Sequence, residues 1–261
     1  MDVQIKKTVK AGNSSAVVLP RAWLNKEVRV ELIKKTPEMI LFDVLGVIKE
    51  HINLKEVIGI YLTGSYARGE EDEESDIDIL VITENSDKEM INEGIYNILI
   101  VSVGLLNQKL KKDLFPIGQM IKEAKPLLNS NYLDSIEIKV TKDNVKWYLD
   151  STKDKLKIIE HIIEKKDNKT KVNDKIIYTL ILRIRTLYII EKLIKNENYS
   201  KRDFIRIIMK IANEERIYER YLAVKNNGKE KNEISIEETK KLYEYLKNEL
   251  DKISGLVKKL K

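Results

Sequence analysis

The apolar positions change their spacing twice along the chain, which divides it into three stretches. Near the start they alternate: Val3, Ile5 and residues 7–10 predict a strand. Ala11-Gly12-Asn13-Ser14-Ser15 follows as a turn cluster, then the apolar run Ala16-Val17-Val18-Leu19 and a stop at Pro20. Residues 27–32 alternate strictly and predict a second strand, ended before Pro37. In the middle stretch, Leu41, Leu45, Ile48 and Ile52 share one face of a helix predicted over 38–52. Apolar strands are expected over 57–62, 77–82 and 95–103, a helix over 110–124 interrupted by Pro126, and a short last strand over 136–140.

From about Asn144 the period is helical to the end, with helices predicted over 144–166, 172–195, 201–224 and 236–260. Ser200 with Asp203, and Ser235 with Glu238, are start signals in which a hydroxyl is followed by a carboxylate three residues on. The helix over 172–195 is apolar nearly all round and is expected at the centre of a bundle. The stripe Leu242, Leu246, Leu250, Ile253, Val257 and Leu260 reads as packing rather than a cofactor box. The expected domains are residues 1–36, 37–142 and 143–261. A β-segment of ~35 residues is too small to bury a core alone, so it should dimerise or dock.

Charge sharpens this division. The total of +6 is made of eight basic and three acidic residues over 1–35, twelve and twenty-one over 36–150, and twenty-eight and eighteen over 151–261. Basic ends around an acidic middle suggest different partners for each. The absence of cysteine excludes disulfides and thiolate metal sites, leaving oxygen or nitrogen ligands for any metal. No apolar run approaches ~18 residues, and the start is charged, so neither a membrane span nor export is expected and the cytoplasm is the default.

The acidic middle holds the candidate chemistry, in the stretch GSYARGEEDEESDID over 64–78. Asp76 and Asp78 flank Ile77 at the start of a strand, where alternation sends both carboxylates to one face. Paired carboxylates suit hard ions such as magnesium, which can clamp the oxygens of an in-line phosphoryl displacement. Gly64 permits a close backbone approach to phosphate, and the Ser65 hydroxyl with nearby amides can bind triphosphate oxygens. Arg68 can clamp phosphate or lock the acidic loop. The plainer reading of 70–78 is a solvated acidic turn, but Gly-Ser, Arg-Gly and Asp-Ile-Asp frame it between strands in the order the chemistry needs.

Gly64-Ser65, a ten-residue spacer and Asp76-Ile77-Asp78, with Ala67-Arg68-Gly69 and Ser75 inside, resembles the signature of minimal nucleotidyltransferases, relatives of DNA polymerase beta and the kanamycin nucleotidyltransferases. The resemblance covers residues 38–140. It implies an α+β fold, with a small mixed-sheet nucleotidyltransferase domain between an N-terminal β-hairpin segment and a C-terminal antiparallel helix bundle. It also implies ATP as donor, Mg2+ on Asp76 and Asp78, and nucleotide contacts from Gly64, Ser65, Arg68 and Ser75. The family pattern calls for a third carboxylate on a later strand, and Asn97 occupies the aligned position. An amide can ligate a metal but cannot take a proton at neutral pH. Glu93 is the possible substitute.

Lys6-Lys7-Thr8-Val9-Lys10, Gly12-Asn13-Ser14 and Val17-Val18-Leu19-Pro20-Arg21, with the closing strand, resemble the swapped-hairpin DNA-binding domains of AbrB and MazE type. That implies a homodimer and DNA contacts from Lys7, Lys10, Asn13, Ser14 and Arg21; the alternative is a β-appendage that only dimerises. The helical region resembles bundles that accompany minimal nucleotidyltransferases, including the HEPN type. Neither His51 nor His161 has an arginine in the preceding six residues, which disfavours a HEPN-like ribonuclease. Arg183 and Arg185 either pair or snorkel, or face the nucleotide cleft. The expected function is transfer of AMP from ATP to an acceptor; the competing class is a DNA-bound, antitoxin-like regulator whose site binds nucleotide without turnover.

Overall fold

A computed structural model describes residues 4, 6, 8–31, 34–72, 75–212 and 216–260. Residues 1–36 and 37–261 form two compact units. In the first, β1 (Val9–Ala11) pairs antiparallel with β2 (Ser14–Ala16) across a turn at Gly12, whose φ of 63° is a conformation glycine adopts freely. A single 3-10 turn, Arg21–Trp23, follows Pro20. No described residue of this unit is buried. Val3, Ile5 and Lys7 lie outside the described residues, as does Leu32. The strand expected over 27–32 is not formed in its described part: Val28 and Val30 are exposed and 27–31 pairs with no strand. Alternation yields a strand only where a neighbouring edge supplies hydrogen bonds.

The second unit opens with α1 (Pro37–Ile48), followed by a mixed sheet in the order β5-β6-β4-β3-β7. The strands are β3 (Val57–Thr63), β4 (Ile77–Thr83), β5 (Lys88–Glu93), β6 (Tyr96–Ser102) and β7 (Lys125–Leu128). Only β4 and β6 run parallel; the other pairs are antiparallel. The central strands are continuous apolar runs because both their faces are covered. Ile77, Ile79 and Val81 pack under α1. Leu80 and Ile82 point the other way, against α3 (Val103–Lys112) and α4 (Ile117–Glu123).

Two local expectations change, and two elements lie outside the apolar pattern. The GSYARG stretch is a five-residue helix, α2 (Gly64–Arg68), closed by Gly69 at φ 66°. The helix expected over 110–124 is two, because Pro116 cannot continue a helix and disfavours helical geometry in Phe115. The last strand is Lys125–Leu128 rather than 136–140; Pro126 fits it because β7 is an edge. Strand β5 was not foreseen, since KEMINE is polar and solvated at the opposite edge.

After α5 (Ser130–Ser135) the chain is helical: α6 (Lys142–Glu164), α7 (Asp174–Ile194), α8 (Lys201–Ala212), α9 (Arg216–Lys225) and α10 (Ile236–Lys259). Residues 213–215, between α8 and α9, lie outside the described residues. Helix α7 is central as expected, burying Ile177, Leu180, Ile181, Ile184, Leu187 and Ile190 among its neighbours. Each of these contributes about 1.5–3 kcal/mol by removal from water. The Ser235–Glu238 capping box is formed, and Ser200 accepts the Asp203 N–H at 3.2 Å. Among the described residues no helix is long and apolar enough to cross a membrane.

Candidate active site

Strand alternation places Asp76 and Asp78 on the face of β4 that also carries Leu80 and Ile82, the face on which α4 packs. Across the parallel ladder, Asn97 on β6 is the register partner of Asp78. Its Nδ2 donates to Asp76 Oδ2 at 3.3 Å and to Asp78 Oδ1 at 3.4 Å, so the three side chains converge. Burial pushes the Asp78 carboxyl above the usual aspartate range and the Asp76 charge adds to this; the Asn97 hydrogen bond, Arg68 and Lys225 oppose it. A site that disfavours its own carboxylate charge in this way is relieved by a cation. The donor set of two carboxylates and an amide that can turn its oxygen inward fits magnesium, which takes few protein ligands and completes its shell with phosphate oxygens and water.

Among the described residues no group of three His, Cys, Asp or Glu side chains could hold a metal. Glu93 lies opposite Tyr96 in the β5–β6 hairpin and is exposed, and it does not complete the set.

Gly64 turns the chain directly beneath Asp78. Its φ is 68°, and a Cβ there would fall 2.0 Å from Asp78 Oδ2. Only glycine meets both conditions. The Gly64 N–H donates to Glu123 Oε1 of α4 at 2.9 Å. Half-buried Ser65 follows on α2, its carbonyl accepting the Glu70 N–H at 2.9 Å.

Arg68 is occupied by two carboxylates, Glu70 at 2.8 Å and Glu123 at 2.6 Å, and its side chain is 12% exposed. Its guanidinium carbon also stands 5.2 Å from the centre of the Tyr199 ring. Glu70 in turn accepts from Ser200 Oγ at 3.1 Å and from the N–H groups of Lys201 and Arg202 at 3.0 and 3.3 Å, capping α8. These bonds and Arg68 hold its carboxyl below the usual glutamate range in spite of the burial that opposes them. Ser75 Oγ donates to Asp72 Oδ1 at 2.7 Å and accepts the Asp72 N–H at 2.9 Å, folding the acidic loop on itself.

The helical region brings a cation within charge range of the carboxylate pair. Lys225, at the end of α9, is exposed by area, yet desolvation and then repulsion from Arg185 and Lys201 hold its ammonium below the usual lysine range. Asp78 and Asp76 oppose that shift. Arg185 has no ion pair among the described residues; Tyr199 and Tyr221 surround it, with the Tyr199 ring centre 5.3 Å from its guanidinium carbon. Arg183, two residues earlier, faces the other way, donating to Ser151 at 2.9 Å beside Trp147.

Residues 45–257 match the model of the nucleotidyltransferase domain. The chain belongs to that family. Two solved structures are similar to this nucleotidyltransferase. One is a nucleotidyltransferase-like protein from Exiguobacterium sibiricum 255-15, 12% identical, with a TM-score of 0.39 over 84% of this chain and 77% of that one. The other is spectinomycin adenyltransferase AAD(9) from Enterococcus faecialis, solved with ATP and spectinomycin, 15% identical, with a TM-score of 0.43 over 81% of this chain and 98% of that one. No curated protein sequence matches the chain.

The structure brings Asp76, Asp78, Asn97 and Gly64 together, with Ser65 next to Gly64 on α2, while the hydroxyl of Ser75 bonds within the loop. Lys10, Asn13, Ser14 and Arg21 are all exposed on the separate hairpin unit, and Lys7 lies outside the described residues. Sequence reasoning passed over Lys225, Glu70 and Glu123. No local pattern marks Lys225 or Glu123; only folding carries them to the motif.

Proposed function

We propose that this nucleotidyltransferase binds ATP with Mg2+ and transfers AMP to a nucleophilic acceptor, releasing pyrophosphate. The observation that carries this reading is the convergence of Asp76, Asp78 and Asn97 over the Gly64 turn, with Lys225 of the bundle within charge range of both carboxylates. Two carboxylates alone would repel a triphosphate. A lysine on the bundle side, Lys225, favours one. Asp76, Asp78 and Asn97 would hold magnesium, which supplies charge neutralisation at the phosphates. Ser65 and Gly64 border the triphosphate, Lys225 and Arg185 neutralise it from the bundle side, and Arg68 with Ser75 keeps the acidic loop in place. Asn97 has no proton affinity to offer the acceptor hydroxyl. Relative to a site with a carboxylate there, turnover is expected to fall by about 10²–10⁴-fold.

That same amide favours a second reading, in which the site binds nucleotide as a regulatory ligand. Labelled ATP and Mg2+ separate the two. Transfer of label that is lost in Asp76→Ala supports the enzyme; tight binding without transfer to any acceptor supports the regulator. Label transfer that survives Asp76→Ala sinks the assigned site.

For residues 1–36 the reading is DNA contact through Lys10, Asn13, Ser14 and Arg21, with Lys7, in a unit completed by a second copy. Its support is a net positive unit in which no described residue is buried and Val9, Val18, Leu24, Val28 and Val30 are exposed. Deleting residues 1–36 is expected to abolish salt-dependent DNA binding and to give a monomer on sizing. Unchanged DNA affinity in the deletion would end this reading.

A further inference from the structure

One buried carboxylate outside the motif grips both ends of α2. Glu123, at the end of α4, is 5% exposed. Its Oε1 accepts the Gly64 N–H at 2.9 Å, and its Oε2 accepts from Arg68 at 2.6 Å and from Gln119 Nε2 at 3.4 Å. Gly64 and Arg68 are the first and last residues of that helix. A carboxylate this deep is unfavourable unless paired and hydrogen-bonded, and here all its donors but Gln119 belong to the candidate site.

The contact continues to the metal-binding carboxylates. Gly64 leaves no room for a Cβ under Asp78 Oδ2, so the height of Gly64 against β4 sets where the Asp78 carboxylate can rest. Ser65 is the next residue along. Helix α4 does not need Glu123 to stay in place, because Ile117 and Ile121 are buried against the sheet.

We infer that Glu123 is a positioning residue, bracing α2 so that Ser65 and Asp78 keep the geometry the metal–triphosphate site requires. The inference rests on the nucleotide reading for its functional consequence, but the brace itself is measurable without nucleotide. The test uses the full chain with Glu123→Ala and Glu123→Gln. Glutamine retains an acceptor for the Gly64 N–H and loses the charge shared with Arg68.

Amide hydrogen exchange without nucleotide is the first readout. Glu123→Ala is expected to speed exchange in 64–70 at least tenfold while 177–190 in α7 stays protected; Glu123→Gln should fall between it and the native chain. The second readout is Mg–ATP affinity, measured by calorimetry, which should drop at least tenfold in Glu123→Ala and less in Glu123→Gln. Unchanged exchange over 64–70 overturns the brace. So does loss of protection throughout the chain in both variants, which would mark Glu123 as a general folding residue. A native chain that binds no Mg–ATP would remove the nucleotide reading, and the local exchange result would still decide the brace.

Discussion

Asn97 Nδ2 donates to Asp78 Oδ1 at 3.4 Å across the parallel pairing of β6 with β4. Two strands that meet in register bring an amide side chain against the carboxylate pair. The hydrogen bond also opposes the upward shift of the Asp78 carboxyl that burial causes. In this chain, then, Asn97 favours the charged form of Asp78 rather than adding a like charge beside it.

Replacing that amide tests its role. Asn97→Asp is expected to tighten Mg2+ binding in the presence of ATP and to raise nucleotidyl transfer by roughly 10²-fold, the scale of a restored general base. Single-turnover assays across a Mg2+ titration read both effects. Equal rates in the two proteins would show that Asn97 does not limit the chemistry.

Gly64→Ala should fail twice. The left-handed φ and the 2.0 Å approach to Asp78 Oδ2 both forbid a Cβ. The expected cost is about 1–3 kcal/mol of stability, with Mg–ATP binding lost because Asp78 must move. Urea unfolding and calorimetry measure the two; native affinity in a stably folded variant would contradict the described turn.

Lys225→Ala removes the bundle cation whose charge interacts with Asp78 and Asp76. ATP affinity should weaken by about tenfold, equivalent to about 1.4 kcal/mol, while adenosine affinity is unaffected. The native protein's ATP binding should also weaken with salt more steeply than the variant's. Equal losses for ATP and adenosine would place Lys225 at the base rather than the phosphates.

The Glu70 cap predicts a pH dependence. Its carboxyl titrates below the usual glutamate range in the folded chain, so its stabilisation is present above the unfolded value. It is lost as pH falls through the depressed folded value. Glu70→Gln is therefore expected to be less stable than the native chain by about 2 kcal/mol at neutral pH, through loss of charge-assisted hydrogen bonds at a buried site. The gap should close in acid. Thermal unfolding at neutral pH and at about pH 3 compares them; a gap of constant size would show that Glu70 is not held as its bonds require.

The sequence by itself determined the core strands β3, β4 and β6, the helical C-terminal region and the shared face of Asp76 and Asp78. Each follows from a local rule: apolar run, helical period or strand alternation. Alternation also misled, at 27–31, because strand pairing is not a local property. Polar β5 and proline-bearing β7 were illegible for the converse reason, being edges whose identity comes from the strand beside them. The tertiary structure alone decided what surrounds the motif. Glu123 is fifty-nine residues from Gly64 in the chain, and Lys225 is farther still from Asp78. Burial and charge interactions act through space, so only the packing of α4 against the sheet and of α9 against α7 brings a brace and a counter-charge to residues the motif already named.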